Sequence, residues 1–172
     1  MDAAHLSGRA LVSTGAVLLE RGRIETAWAV LARVEDPEIP VLSVRDLGLI
    51  RALEETGAGA LRVAVSPTYT GCPATEVIRA RVDAALTRAG LGPVEVYTVL
   101  APAWSTDWIT AEGRSKLTAY GIAPPTPHGS VVICPRCRSS DTELLSAFGS
   151  TPCKALHRCR ACLEPFECFK CL

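Results

Sequence analysis

Four cysteines near one end of the chain, Cys134, Cys137, Cys159 and Cys162, have the spacing C-x2-C-x21-C-x2-C. Two thiols separated by two residues can meet one ion across a tight turn, and two such knuckles on neighbouring hairpins deliver four thiolates. That donor set suits a tetrahedral zinc ion. The gap between the pairs runs slightly past the usual ~15–20 residues, which a longer hairpin accommodates. The same thiolates would also serve a redox or Fe–S centre, so structural zinc and a cluster are both open readings. Three more cysteines share this tail. Cys168 and Cys171 in "ECFKC" imitate a third knuckle, and Cys153 and Cys171, with His157 as an added donor, form a candidate second metal site. Alternatively, Cys168 and Cys171 are partly buried residues of a last strand.

The eighth cysteine stands apart. Cys72 lies in "VSPTYTGCPAT", more than sixty residues from any other cysteine. It falls where a strand-like run gives way to a helix-like one. The first backbone N–H groups of a helix have no partner within it and favour an anion, so this sulfur is expected to cap the helix with a lowered pKa. The preceding "PTYTG" brings hydroxyls and a glycine that permits close backbone approach. His5, His128 and His157 are all distant in sequence, and none sits in a hydrolase motif. A reactive or metal-binding thiolate and an ordinary buried residue at a helix start are the two readings.

The elements that would position these thiols follow from periodicity. Ile24, Ala27, Trp28, Leu31 and Ala32 recur at helical spacing, and Pro37 and Pro40 end that helix in a rigid "DPEIP" turn. "DLGLIRALEE" reads as a loop, with Gly48 in an unusual backbone conformation, entering a strand. In "ALRVAVSP", Leu61, Val63 and Val65 alternate with Arg62, Ala64 and Ser66, the pattern of a half-buried strand, and "TGAG" between the two strands is a hairpin turn. Pro73 suits a first helical position, and Ile78, Val82, Ala85, Leu86 and Ala89 mark the buried face of the helix that follows. "VEVYTVL" is a third strand, reached by a crossover that implies parallel pairing. Asp107 or Thr110 caps a last helix, Gly121 ends it, and Ile122 packs back over its final turn.

The expected fold is therefore a compact α/β (α+β) domain, helix–strand–strand–helix–strand–helix, over residues 21–123, with a small zinc ribbon over residues 131–172. Residues 124–130, "PPTPHGS", read as a stiff linker. "VVICPRC" and "LHRCRAC" each read as a short strand entering a knuckle. The ribbon is too small for an adequate core, so metal would supply its stability. Residues 1–20 are expected to be an N-terminal extension. Their apolar run, Ala10 to Leu19, is interrupted by Ser13, Thr14 and Gly15 and lacks a cleavage site, which argues against a signal peptide.

Composition sets the outer limits. The chain has 172 residues, 48% apolar and 21% charged, with 18 basic and 18 acidic side chains. Zero net charge gives no electrostatic case for nucleic-acid binding. Basic residues of the ribbon are nearly balanced by Asp141, Glu143, Glu164 and Glu167, and a tetrathiolate zinc centre adds negative charge, so a scaffold or protein-contacting role fits better. No run approaches the ~18 apolar residues of a membrane span. The cytoplasm, where thiols stay reduced, is the expected location. No acid–base dyad, phosphate loop or dinucleotide fingerprint appears, which counts against independent catalysis.

"DPEIP", "VRDLGLI" and "TYTGCP", in that order, resemble the metal–sulfur cluster assembly family, which includes SufT-like proteins. "PAWSTDWITAEGRSKLTAYGIAPP", "CPRC", "SAFGSTPCKAL", "RCRAC" and "EPFECFKC" resemble the accessory D proteins of bacterial phenylacetate degradation, which accompany phenylacetyl-CoA 1,2-epoxidase. The resemblance implies a maturation role in aerobic aromatic catabolism, assisting iron or Fe–S cluster assembly, with the epoxidase oxygenase or reductase subunits as partners. The alternative it leaves is an integral subunit with a redox or electron-transfer role. It implies that Cys72 is the cluster or iron ligand, a transient one, with Asp36, Glu38, Asp46 and Thr68 in the signature loops around it. A single thiolate cannot hold a cluster, so a homodimer or the client would complete the site. Cys168 departs from the family, where an aromatic residue is expected, which weakens it as a ligand.

Overall fold

The helical spacing beginning at Ile24 belongs to a longer helix than it marks. In the computed structural model, which describes residues 14–127 and 129–172 with side chains from Gly22 onward, α1 spans Thr14–Leu31. The expected extension, residues 1–20, lies outside the described residues up to position 13 and is helix from Thr14. The stretch after Gly15 is rich in Ala, Leu, Glu and Arg, strong helix formers whose propensity an apolar stripe does not register. Ala27 and Leu31 are fully buried, with Ile24 and Trp28 packed beside them. The "DPEIP" turn follows, closed by a bridge between Glu35 and Ser43 and by the Asp36 N–H donating to the Leu42 carbonyl at 2.8 Å.

Strand β1 (Ile50–Glu55) pairs antiparallel with β2 (Leu61–Val65), and β2 pairs in parallel with β3 (Val94–Thr98). Helix α2 (Ala74–Arg88) makes the crossover between β2 and β3. Two sequence expectations shift here. Ala64 and Ser66 are buried along with Leu61, Val63 and Val65, because β2 is the middle strand of the sheet, enclosed by β1 and β3. Ala89 is exposed and caps α2, whose buried face is Ala74, Ile78, Val82 and Leu86.

A loop between Ser43 and Leu49 carries the greatest density of buried polar bonding. Asp46 Oδ2 accepts from the Ser43 N–H (2.9 Å), the Ser43 hydroxyl (2.8 Å) and Lys116 Nζ (2.9 Å), while its carbonyl accepts from the Thr110 N–H at 2.9 Å. These bonds fasten the loop to α3 (Ala111–Tyr120), whose N-cap is Thr110; Asp107 lies instead in a short 3-10 turn, Thr106–Trp108, capped by Ser105. Gly48 has φ 65°, and a Cβ there would sit 2.6 Å from the Trp108 carbonyl oxygen, so this close approach requires glycine. Gly121, at φ 90°, ends α3 as expected.

The tail forms a second sheet in the order β4-β7-β6-β5, from β4 (Ile122–Ala123), β5 (Thr142–Ser146), β6 (Lys154–Cys159) and β7 (Pro165–Phe169). The last segment of the expected α/β domain therefore belongs to the ribbon's sheet, β4 running parallel to β7. Pro125, at the start of the expected linker, is buried, and its carbonyl accepts from Arg114 at 2.9 Å. No strand precedes Cys134; residues 131–134 are irregular, tethered by the Thr142 hydroxyl donating to the Val132 carbonyl. Phe169 is buried in the main core, its ring 6.0 Å from that of Trp104. Mixed α/β structure with three helices and two sheets is the result.

Asp46 sets a pH-dependent part of the stability. Burial opposes its charge, but the bonds from Ser43 and Lys116 outweigh that and hold its pKa below 3.8. A group lowered in the folded state stabilises above its unfolded pKa and loses that contribution as pH falls through the folded value. Asp46→Asn should therefore cost about 1–2 kcal/mol at pH 7, a discounted figure because Lys116 is partly solvated. The gap to the unsubstituted chain should narrow as denaturation is repeated below pH 3.8.

Candidate functional site

The two C-x-x-C turns are built alike. Arg138 follows Cys137 at φ 67° and Leu163 follows Cys162 at φ 62°, the two non-glycine residues of positive φ among the described residues. In the first turn the Arg138 N–H donates to the Cys134 carbonyl at 3.0 Å. The paired turns bring all four sulfurs within 4.8 Å of one another, Cys134 to Cys162 at 3.8 Å and Cys137 to Cys159 at 3.5 Å. A tetrahedral site with metal–sulfur bonds of ~2.3 Å has sulfur–sulfur edges of about 3.8 Å, so the donors already stand at ligand spacing. The Cys162 backbone N–H, working against burial, brings Cys159 down to about 7. Ser139 favours the Cys137 thiolate through its backbone, yet the surrounding sulfurs push Cys137 up to about 12. One thiolate forms readily and the next is resisted, a conflict that a divalent cation removes.

Cys72 lies on a different cavity. It precedes α2 directly, and its carbonyl, not its sulfur, closes the first turn, accepting from the Thr75 N–H at 3.2 Å and hydroxyl at 2.8 Å. Pro73 occupies the N-cap with no side-chain capping bond, so the expected sulfur cap is replaced by this backbone arrangement. The cavity holds about 20 Å³ and is shared by Cys72, Thr68, Asp36, Glu38 and, from the ribbon, Cys153 and Phe169. Asp36 Oδ1 accepts from the Glu38 and Ile39 N–H groups, both at 2.8 Å, which fixes the carboxylate on the "DPEIP" turn.

The electrostatics of this cavity favour a cation. Burial raises Asp36, and burial followed by the Asp36 charge raises Glu38. Burial, with Cys72, Glu38 and Cys153 close by, pushes the Tyr69 phenol up to about 12. Cys153 is raised chiefly by burial despite a contact of 3.1 Å with the Thr151 hydroxyl. Arg81 and Lys154 offset only part of this for Asp36, and the buried Lys154 ammonium is itself paired with Glu167 at 2.6 Å.

Of the residues expected around Cys72, the structure gathers Asp36, Glu38 and Thr68 on the cavity. Asp46 is not on it; its carboxylate is committed to Ser43 and Lys116. Cys153, Cys171 and His157 do not form the second ligand cluster expected of them. Among the described residues the four knuckle cysteines are the one such group; Cys171 contacts Thr106 at 3.7 Å and His157 stacks on Phe166. Cys168 is buried, which pushes its thiol up to about 11. No local pattern places Cys153 in the Cys72 cavity, because its membership depends on how the ribbon folds back.

Comparison with known proteins matches residues 24–99 to a family described as "Iron-sulfur cluster assembly protein" and residues 125–170 to "PaaD zinc beta ribbon domain". The chain is 47% identical to the D component of the 1,2-phenylacetyl-CoA epoxidase of Escherichia coli (strain K12), over 87% of this chain and 94% of that one. It is 33% identical to a "Fe-S protein maturation auxiliary factor" of Porphyromonas gingivalis (strain ATCC BAA-308 / W83), over 51% of this chain and 83% of that one. A DUF59 domain from Bacillus anthracis shares the fold, with TM-score 0.54 at 23% identity, covering 59% of this chain and 96% of the other. Among the described residues no helix is long and apolar enough to cross a membrane.

Asp36 separates a structural role from a charged one. Asp36→Asn keeps the Oδ1 acceptor for both turn N–H groups and removes a buried charge, so stability at pH 7 should be unchanged or rise by up to about 1 kcal/mol. Asp36→Ala strands the two donors and should cost about 2 kcal/mol. Because the folded pKa is raised, the unsubstituted chain should lose ground to Asp36→Asn as pH rises through that value, with no such trend below 3.8. Urea titrations across pH measure both.

Proposed function

Because this chain belongs to the family of phenylacetyl-CoA epoxidase D components, we propose that it serves that enzyme as a non-catalytic maturation factor, assisting iron or Fe–S cluster assembly in its partner subunits. One observation carries the reading: Cys72, Thr68, Asp36 and Glu38 share a cavity whose acidic groups outweigh the nearby positive charge. Thiolate and carboxylate together suit a borderline divalent cation. Ferrous iron stands low in the Irving–Williams order, so such a site can take it up and yield it to a client with more ligands. Cys72 supplies the soft donor. The "DPEIP" turn holds Asp36 as a hard donor already oriented by backbone, so little ordering is needed when the cargo arrives.

In this reading Cys134, Cys137, Cys159 and Cys162 hold a resident structural zinc. The ribbon's own core is small, so the ion would supply much of its stability and hold the strands that reach back to the cavity.

Metal analysis of the purified chain should return about one zinc, with Cys159→Ser combined with Cys162→Ser abolishing it; unchanged zinc in that double variant excludes the assignment. The maturation role is tested in cells whose only copy carries Cys72→Ser. The substitution should cost about 1 kcal/mol of stability, leaving protein levels normal. Epoxidase activity should nevertheless be lost, and full activity at normal protein level would remove Cys72 from the mechanism. Normal cluster content in the reductase alongside that loss would make the oxygenase the client.

A further inference from the structure

We infer that Cys153, delivered by the zinc ribbon, is the second thiol ligand of the Cys72 cavity, which thereby binds a single divalent cation between the two parts of the chain. This rests on the cargo-binding reading above and extends it to a residue and a stoichiometry.

Three observations support it. First, Cys72 and Cys153 line one cavity although they lie on different sheets' connections, and both bear on the Tyr69 phenol. Cys153 is 4% exposed and packs in the main hydrophobic core, not in the ribbon's own smaller cluster. Second, its position is held from several directions. The Thr151 hydroxyl lies 3.1 Å from its sulfur, and its carbonyl accepts from the Lys170 N–H at 2.9 Å. Third, the cavity, at about 20 Å³, has room for one water or one ion, and too little for a two-iron cluster.

The donors then balance. Two thiolates from Cys72 and Cys153, with carboxylate oxygen from Asp36 or Glu38, give a mixed set suited to borderline first-row cations. A thiol with no role in binding would be an ordinary apolar filler here, and its burial would need no acidic neighbours. Lys154, next in sequence, does not supply the missing positive charge, because Glu167 already neutralises it. The arrangement also removes the need for a second copy of the chain to complete a mononuclear site.

The test uses the full zinc-loaded chain and cobalt(II) under anaerobic conditions. Cobalt does not displace zinc from the ribbon, since zinc binds more tightly in the Irving–Williams order. The unsubstituted chain should take up one equivalent with a thiolate-to-cobalt charge-transfer band. Cys72→Ser and Cys153→Ser should each lose roughly half that band and weaken binding tenfold or more, while Cys171→Ser should change neither. Independently of any variant, cobalt should slow alkylation of Cys153 and Cys72 together, read by mass spectrometry. A Cys153→Ser chain with undiminished band and affinity, or a Cys153 whose alkylation cobalt does not slow, overturns the inference. The cobalt results stand apart from the cellular one. Two-thiol binding together with full epoxidase activity in Cys72→Ser cells would remove the maturation role and keep the site. Lost activity in those cells with Cys153 irrelevant to cobalt would remove the inference alone.

Discussion

The packing of Phe169 against Trp104 is the contact on which the rest of the arrangement depends. Phe169 is 2% exposed and Trp104 5%, and the Trp104 indole N–H donates to the Leu47 carbonyl at 2.9 Å. Burying a phenylalanine side chain contributes about 1.5–3 kcal/mol, so this one residue anchors the end of the ribbon in a core it does not build. The Thr106 N–H donating to the Leu172 carbonyl at 3.2 Å continues the attachment to the last residue. Because β7 is fixed this way and pairs with β6, Cys153 is carried onto the Cys72 cavity. The ribbon is thus a positioning element as well as a metal-bearing one.

Two kinds of buried charge stand in contrast. Asp46 is buried and satisfied: three donors meet its carboxylate oxygen, and its pKa is held down. Asp36 is buried and only half satisfied, both of its backbone bonds falling on Oδ1, and its pKa is raised. A buried carboxylate short of positive charge costs stability unless something neutralises it. Such a group, beside a thiol and on a cavity, is where a cation would be bound. That difference between two aspartates ten residues apart is the physical ground for assigning one to structure and the other to function.

Both facts bear on what a sequence can disclose. The four knuckle cysteines are legible because metal ligation by C-x-x-C is local: two turns determine four donors, and the matched positive φ of Arg138 and Leu163 follows from the same geometry. The helix and strand order is legible from periodicity, and Cys72 from its place at a strand-to-helix junction. Asp46 cannot be told from Asp36, since each follows a loop signature and only tertiary partners such as Lys116 distinguish them. Sequence assigns Cys153 to the wrong neighbours for a similar reason. Its grouping with Cys171 and His157 relies on closeness along the chain, whereas the parallel pairing of β4 with β7 is a long-range contact that no local pattern encodes.

A cavity at Cys72 that holds iron and passes it to the epoxidase has a direct kinetic signature. The most direct measurement is to load the zinc-bound chain with iron-57, mix it with the metal-free epoxidase subunits in the presence of an iron chelator, and follow the label by Mössbauer spectroscopy. The label should appear in the epoxidase faster than from free iron-57 at the same concentration, and the chelator should intercept little of it. Label that goes to the chelator, or reaches the epoxidase no faster than free iron does, would contradict iron delivery from this cavity.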